Sequence, residues 1–169
     1  MSEIVVQKFG GTSVGTVDRI DSVAEIIKNA SKSNKIVVVV SAMGGETNRL
    51  VDLAKAFGDD PDKREFDALV STGETVSSAL LTMALHSKGV KAKSFSASQI
   101  SMRTTSSYSK AKILDVDAKK ILDVVENDTI PIITGFQGVT EGGDVTTLGR
   151  GGSDTTAVAI AAQIAAIRC

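Results

Sequence analysis

Four short segments pair residues that hold charge with residues that let a backbone come close to a ligand. The first is KFGGTSV, Lys8 to Val14, where a lysine leaves a β-branched run and is followed by Gly10, Gly11, Thr12 and Ser13. Glycines open access to backbone N–H groups, hydroxyls add donors, and a helix start adds positive partial charge, a combination suited to phosphate. Lysine precedes the glycines, and neither GxxxxGK[ST] nor GxGxxG occurs, so this is no Walker loop or dinucleotide fingerprint. A plain strand-to-helix turn with a solvated lysine is the competing reading.

The second segment, SAMGGETN from Ser41 to Asn48, again places small residues after a strand, where open α/β sheets bind ligands. Thr47 could donate to a substrate or cap the following helix. The third, STGE from Ser71 to Glu74, fits a capping box with Ser71 as N-cap and Glu74 reaching back; only its neighbours could make Glu74 a ligand for an ammonium group. The fourth is TLGRGGSDTTA, Thr147 to Ala157. Glycines on both sides of Arg150 clear space for a guanidinium fork to clasp a carboxylate, and Ser153 and Asp154 follow at a helix start. A dipole role for Asp154 needs no flanking GRGG, so function is the favoured reading.

These segments must be held by elements, and β-branched runs alternating with helical periodicity predict an α/β protein with a mainly parallel, buried sheet. Strands are predicted at Ile4–Phe9, Lys35–Ser41, Lys91–Phe95 and Ile130–Thr134. The first helix, Val17 to Ala30, has one apolar face made by Val17, Ile20, Val23, Ala24, Ile27 and Ala30. A second is expected from Thr47 to Phe57, with GDDPDK as the loop behind it, and a third from Glu74 to Lys88, closed by Gly89. Val139 to Thr147 reads as a hairpin around Gly142 and Gly143. An alanine-rich helix from Ser153 is apolar nearly all round and predicted to be buried. The polar stretch Ser96 to Ile113 reads as irregular loop.

At 169 residues, with 42% hydrophobic and 23% charged residues and a formal charge of −1, the chain suits one globular domain and lacks the basic excess of a nucleic-acid binder. Cys169 is the single cysteine, which excludes an internal disulfide and a cysteine zinc cluster, and fits a cytoplasmic setting. No signal peptide or membrane span is expected. His86 is the single histidine and is read as a surface residue, while Arg103 and Tyr108 carry no spacing signal.

In order, KFGGTSV, SAMG with its threonine, STGE, TGFQG and TLGRGGSDTTA resemble the aspartate kinases of the amino-acid kinase family. The resemblance runs from the first strand to the last helix. It implies a three-layer α/β/α sandwich and transfer of the ATP γ-phosphoryl group to the side-chain carboxylate of L-aspartate, with Mg²⁺ bound through the nucleotide rather than by a protein metal site. It also implies that Lys8 neutralises the transferring group, with Asp154 as a second catalytic residue, and that Gly10, Gly11 and Ser13 cradle the phosphates. Ser41, Thr47, Glu74, Phe136, Arg150, Ser153 and Asp154 would hold aspartate, Arg150 on the α-carboxylate and Glu74 near the α-amino group. Family members continue into nucleotide-binding and regulatory ACT regions, so residues 1–169 read as the amino-acid-binding, N-terminal part. The rival expectations are a catalytically incomplete aspartate-binding or assembly module, or another small-molecule kinase of the same fold. Self-association, or association with a missing C-terminal half, is expected from the exposed apolar surface of an incomplete sheet.

Overall fold

Strand β2, Lys35–Val40, has the sequence KIVVVV and is buried from Ile36 onward. Such a strand needs partners at both edges and cover on both faces. In this computed structural model, which describes residues 3–169, β1 (Ile4–Phe9) lies parallel to β2 on one side. The edge order continues through β6 (Ile130–Thr134) to β3 (Ala92–Phe95), all parallel.

Side-chain alternation splits the core in two. Ile36, Val38, Val40 and Ile132 face α1 (Val17–Ala30) and α4 (Thr72–Ser87), where they meet Ile20, Val23, Ile27, Leu81 and Leu85. Val37, Val39 and Ile133 face α5 (Ala118–Glu126) and α6 (Gly152–Gln163), meeting Ile121, Val125, Ala157 and Ile160. The three-layer sandwich is therefore observed, because parallel strands need crossovers and the crossovers supply both helical layers.

A smaller sheet stands beside it, in the order β5 (Ile113–Asp115), β4 (Arg103–Thr104), β7 (Gln137–Val139) and β8 (Val145–Thr147). The hairpin expected at Val139 to Thr147 is the β7–β8 pair, turning through Gly143 at φ 89°. Part of the predicted loop Ser96 to Ile113 is not loop. It contributes β4 and the start of β5, strands too short for a periodic signal but held by pairing with each other and, through β4, to β7.

Two other expectations change. The GDDPDK loop ends at Asp62, whose side chain accepts from the Glu65 N–H and caps α3 (Lys63–Val70), a helix signalled by the D-x-x-E spacing. Helix α6 is buried on one face only: Asp154, Thr155, Val158 and Ala162 are exposed, so its apolar composition did not mean full burial. On α1, Val17 is likewise exposed. Lys63–Ser87 is long and apolar enough by composition to cross a membrane, yet it buries Asp67 and Glu74 against the core, as a helix of a folded domain does.

Packing in the small sheet is tight at Gly138, where an added Cβ would overlap Thr104 Cγ2 and lie 2.9 Å from Thr146 Oγ1. Those two threonines are hydrogen-bonded to each other at 2.6 Å. Gly138→Ala is expected to lower stability by about 1–3 kcal/mol through overpacking, read as a lower urea midpoint; an unchanged midpoint would show that the sheet yields there.

Candidate active site

The carboxyl ends of β1, β2 and β6 open on one side of the sheet, and the segments leaving them form the floor of a cleft of about 650 Å³. Lys8, Gly11, Ser41, Thr47, Glu74, Phe136, Arg150, Ser153 and Asp154 all line it. Parallel strands make this convergence unavoidable, since each returns to the same side before its chain turns away. Of the segment expected to cradle phosphates, Gly11 and Thr12 line the cleft, while Gly10 and Ser13 are not in the lining. Gly10 has another role: a Cβ there would lie 3.2 Å from Lys8 Nζ, so glycine leaves room for the ammonium.

Lys8 pairs with Asp154 at 2.8 Å, joining the end of β1 to the first turn of α6. Asp154 is largely exposed, so solvent weakens the pair and the ammonium is easily released to a stronger anion. Arg150 sits between Gly149 (φ 80°) and Gly151 (φ 73°), both in the left-handed region that glycine tolerates. Gly151 and Gly45 precede α6 and α2 (Glu46–Lys55), and neither helix has a side-chain cap. Their positive first turns therefore face the cleft without a capping oxygen, a setting that favours anions.

Thr47 is not a cap. It is the second residue of α2 and its side chain lines the cleft. Nor do Ser71 and Glu74 form the expected capping box: Ser71 is helical, and its hydroxyl donates to the Ala68 carbonyl. Tertiary packing takes Glu74 elsewhere. Its Oε1 accepts from the Ala42 N–H at 3.1 Å, while Oε2 is buried without a partner. Burial pushes its pKa up to about 7, with the Ala42 amide opposing the shift. A buried carboxyl with one oxygen unpaired is poised to receive a cation or donor.

Close approach shapes the remaining wall. A Cβ at Gly152 would lie 2.7 Å from Phe136 Cδ2, and one at Gly135 would lie 2.6 Å from Ser153 Oγ. Phe136 has φ 68°, held by its N–H bond to Thr156 Oγ1 and by the Leu148 N–H bond to its carbonyl. Such backbone strain in a non-glycine residue is typical of functional sites.

Sequence reasoning missed Phe66, Ser109 and Asn48, which also line the cleft, and two buried polar anchors behind it. Gln137 accepts from Thr134 Oγ1 at 2.7 Å and donates to the Ser71 carbonyl at 2.6 Å, tying β6 to the start of α4. Asp67 on α3 accepts hydrogen bonds from Ser109 and Thr147. Neither has a spacing signal, because Ser71, Ser109 and Thr147, the partners that give them these roles, lie 42 to 80 residues away.

The sequence pattern of the amino acid kinase family matches residues 3–169. The chain is 54% identical over 167 residues to the aspartate kinase Ask_LysC of Stutzerimonas stutzeri, covering 98% of this chain and 40% of that protein. It is 53% identical to the aspartokinase of Geobacillus stearothermophilus, covering 98% and 41%. The crystal structure of Escherichia coli aspartokinase III in complex with aspartate and ADP superposes with a TM-score of 0.88 at 29% identity, covering 97% of this chain and 47% of that one. The chain thus spans about 40% of the length of these curated relatives.

Because Glu74 has a raised pKa, the folded state binds its proton more tightly than the unfolded chain, and its contribution to stability is lost as pH rises through about 7. Glu74→Gln is expected to be more stable than wild type at pH 8 by up to about 3 kcal/mol, with the gap closing below pH ~4.5. Chemical denaturation at several pH values measures it; a constant gap would contradict the burial argument.

Proposed function

The chain belongs to the amino acid kinase family, and from that premise we propose that it forms the N-terminal, aspartate-binding part of an aspartate kinase. The complete enzyme would transfer the γ-phosphoryl group of ATP to L-aspartate, the first step toward lysine, threonine, methionine and diaminopimelate. The observation carrying this reading is one cleft that gathers an exposed arginine fork, a lysine held by a weak exposed ion pair, and a buried half-paired carboxyl. Aspartate has two carboxylates and one ammonium, and these groups complement it charge for charge. The relatives named as aspartate kinases support the same acceptor.

In this reading Arg150 clasps the α-carboxylate bidentately and Glu74 receives the α-ammonium. Ser41, Thr47, Phe136 and Ser153 line the pocket between them. Lys8 leaves Asp154 to lie between the acceptor carboxylate and the γ-phosphoryl group, where it offsets the charge of both. One side-chain carboxylate oxygen attacks γ-phosphorus, the bond to the β,γ-bridging oxygen breaks, and 4-phospho-L-aspartate and ADP result. No proton need be removed from a carboxylate, so alignment and charge neutralisation suffice. Gly11 and Thr12 offer the phosphates a close backbone. Among the described residues no cluster of three His, Cys, Asp or Glu side chains suits a metal, so magnesium would arrive on the ATP phosphates. Exposed Val76 and Met83 on α4 and Val158 on α6 support association with further polypeptide, as a second copy or as the remainder of a longer kinase. The cytoplasm, where ATP and free aspartate are available, is the proposed setting.

The deciding experiment incubates the chain with Mg-ATP, L-aspartate and hydroxylamine and measures aspartyl hydroxamate, with glutamate as control acceptor; calorimetry with L-aspartate runs alongside. Aspartate-dependent hydroxamate, or aspartate binding without turnover, supports the reading, the second outcome marking an incomplete site. Absence of aspartate binding overturns it. Arg150→Ala is expected to weaken aspartate binding by roughly 10- to 100-fold, as for loss of a charge-assisted bond; unchanged affinity would remove Arg150 from the site. Aspartate affinity should also rise between pH 6 and pH 8 as Glu74 ionises, and should lose that dependence in Glu74→Gln. A flat wild-type profile would separate Glu74 from the ammonium.

A further inference from the structure

Among the described residues, one carboxylate besides Glu74 is buried: Asp67 on α3, which is fully enclosed. Nothing in the proposed chemistry uses it. Burying a carboxylate costs several kcal/mol of hydration unless donors replace the water, and four do. Oδ2 accepts the backbone N–H groups of Ser109 and Thr147 at 2.8 and 2.7 Å. Oδ1 accepts the two hydroxyls of the same residues at 2.9 and 3.0 Å. One side chain thus grips two segments far apart in sequence, through both backbone and side chain of each.

Both gripped residues line the cleft, and both lead to Arg150. Thr147 ends β8 and is followed by Leu148, Gly149 and Arg150. Ser109 has φ 64°, a conformation that costs a non-glycine residue of order 1–3 kcal/mol, and its carbonyl would lie 3.1 Å from a Cβ at Gly149. The loop carrying Arg150 is therefore seated on a strained residue that Asp67 holds by its N–H and hydroxyl. A second tie lies farther out: Arg64, also on α3, pairs with Asp144 at 2.8 Å, and Tyr108 donates to the same carboxylate at 3.1 Å. That outer cluster is open to solvent and weakly binding, whereas the Asp67 clamp is dry.

We infer that Asp67 is a positioning residue, clamping Ser109 and Thr147 so that the Leu148–Gly151 loop presents Arg150 to the acceptor's α-carboxylate. The loop-fixing part rests on geometry alone, and the α-carboxylate part rests on the aspartate reading above. Asp67→Asn is the informative conservative change. Its carbonyl oxygen can accept both N–H groups while its NH₂ donates to both hydroxyl oxygens, so the clamp survives. Asp67→Ala leaves four donors without a partner.

The test compares wild type, Asp67→Ala and Asp67→Asn by amide hydrogen exchange and by calorimetry with L-aspartate. In Asp67→Ala, exchange over residues 106–110 and 145–151 is expected to quicken at least about tenfold, with residues 36–40 of β2 unchanged. The aspartate dissociation constant should rise by about tenfold. Asp67→Asn should stay within about threefold of wild type in both. Unchanged exchange in those loops, equal acceleration in β2, or undiminished affinity in Asp67→Ala overturns the inference, as does an asparagine variant no better than alanine. If Asp67→Ala does not fold, Thr147→Val deletes one of the four bonds and should quicken loop exchange by about threefold; no change there also overturns it. If the wild-type chain binds no aspartate, the acceptor reading fails by itself, and the exchange data still decide the clamp.

Discussion

Val37 to Val40 are closed to solvent on both faces of the sheet, and the rest of the architecture follows from keeping them so. A strand buried in this way needs hydrogen-bonding neighbours on each edge and a helical layer above and below. Parallel neighbours bring crossovers, and crossovers put every strand's carboxyl end on the same side. The cleft is a consequence of that arrangement. Ser41 at the end of β2, Lys8 near the end of β1 and Phe136 just past β6 meet there because their strands are in register, as Lys8 with Val39 and Val40 with Thr134 are.

Polar groups brought to such a place lose hydration, and the cleft handles this in contrasting ways. Glu74 keeps one oxygen unpaired and its pKa moves to about 7. The unpaired oxygen is a stability cost that a cationic ligand can offset. Lys8 keeps its charge near the rim by pairing with Asp154, which stays hydrated. Asp67 is enclosed and satisfied, and is well suited to hold other residues still. A buried carboxyl left half-paired and another fully paired, both on the Lys63–Ser87 helical run, carry opposite implications: the first has capacity left for a ligand, the second has none.

Strain is concentrated at the same place. Phe136 and Ser109 line the cleft with positive φ, and Gly149 and Gly151 flank Arg150 in the same region of backbone space. Gly135, Gly152 and Gly11 are needed for a different reason, since a Cβ at each would press within 3 Å of a neighbouring atom. Backbone segments packed this closely leave few ways for the site to relax, so small changes in the supporting residues should be felt in ligand affinity more than in overall fold.

Much of this was legible in the residues themselves. β1, β6 and α1 fall where the β-branched runs and the three-and-four spacing put them, because those patterns report which side faces the core. Lys8 and Arg150 stood out because glycines close to a charged residue give a ligand access to it, whereas Glu74 fitted a capping box and gained a binding role only through the family resemblance. What lay beyond reach was everything set by partners distant in the chain. The short strands β4 and β5 exist through pairing with each other and with β7, and no local period marks them. The S-x-x-E pattern at Ser71 was overridden because the Glu74 carboxyl bonds the Ala42 amide, distant in the chain, rather than the Ser71 N–H. Asp67 carried no signal at all, in a stretch where no helix was predicted. Only the tertiary structure could show it enclosed, since burial and hydrogen-bond partners depend on where Ser109 and Thr147 fold back, and a sequence carries no distance between them.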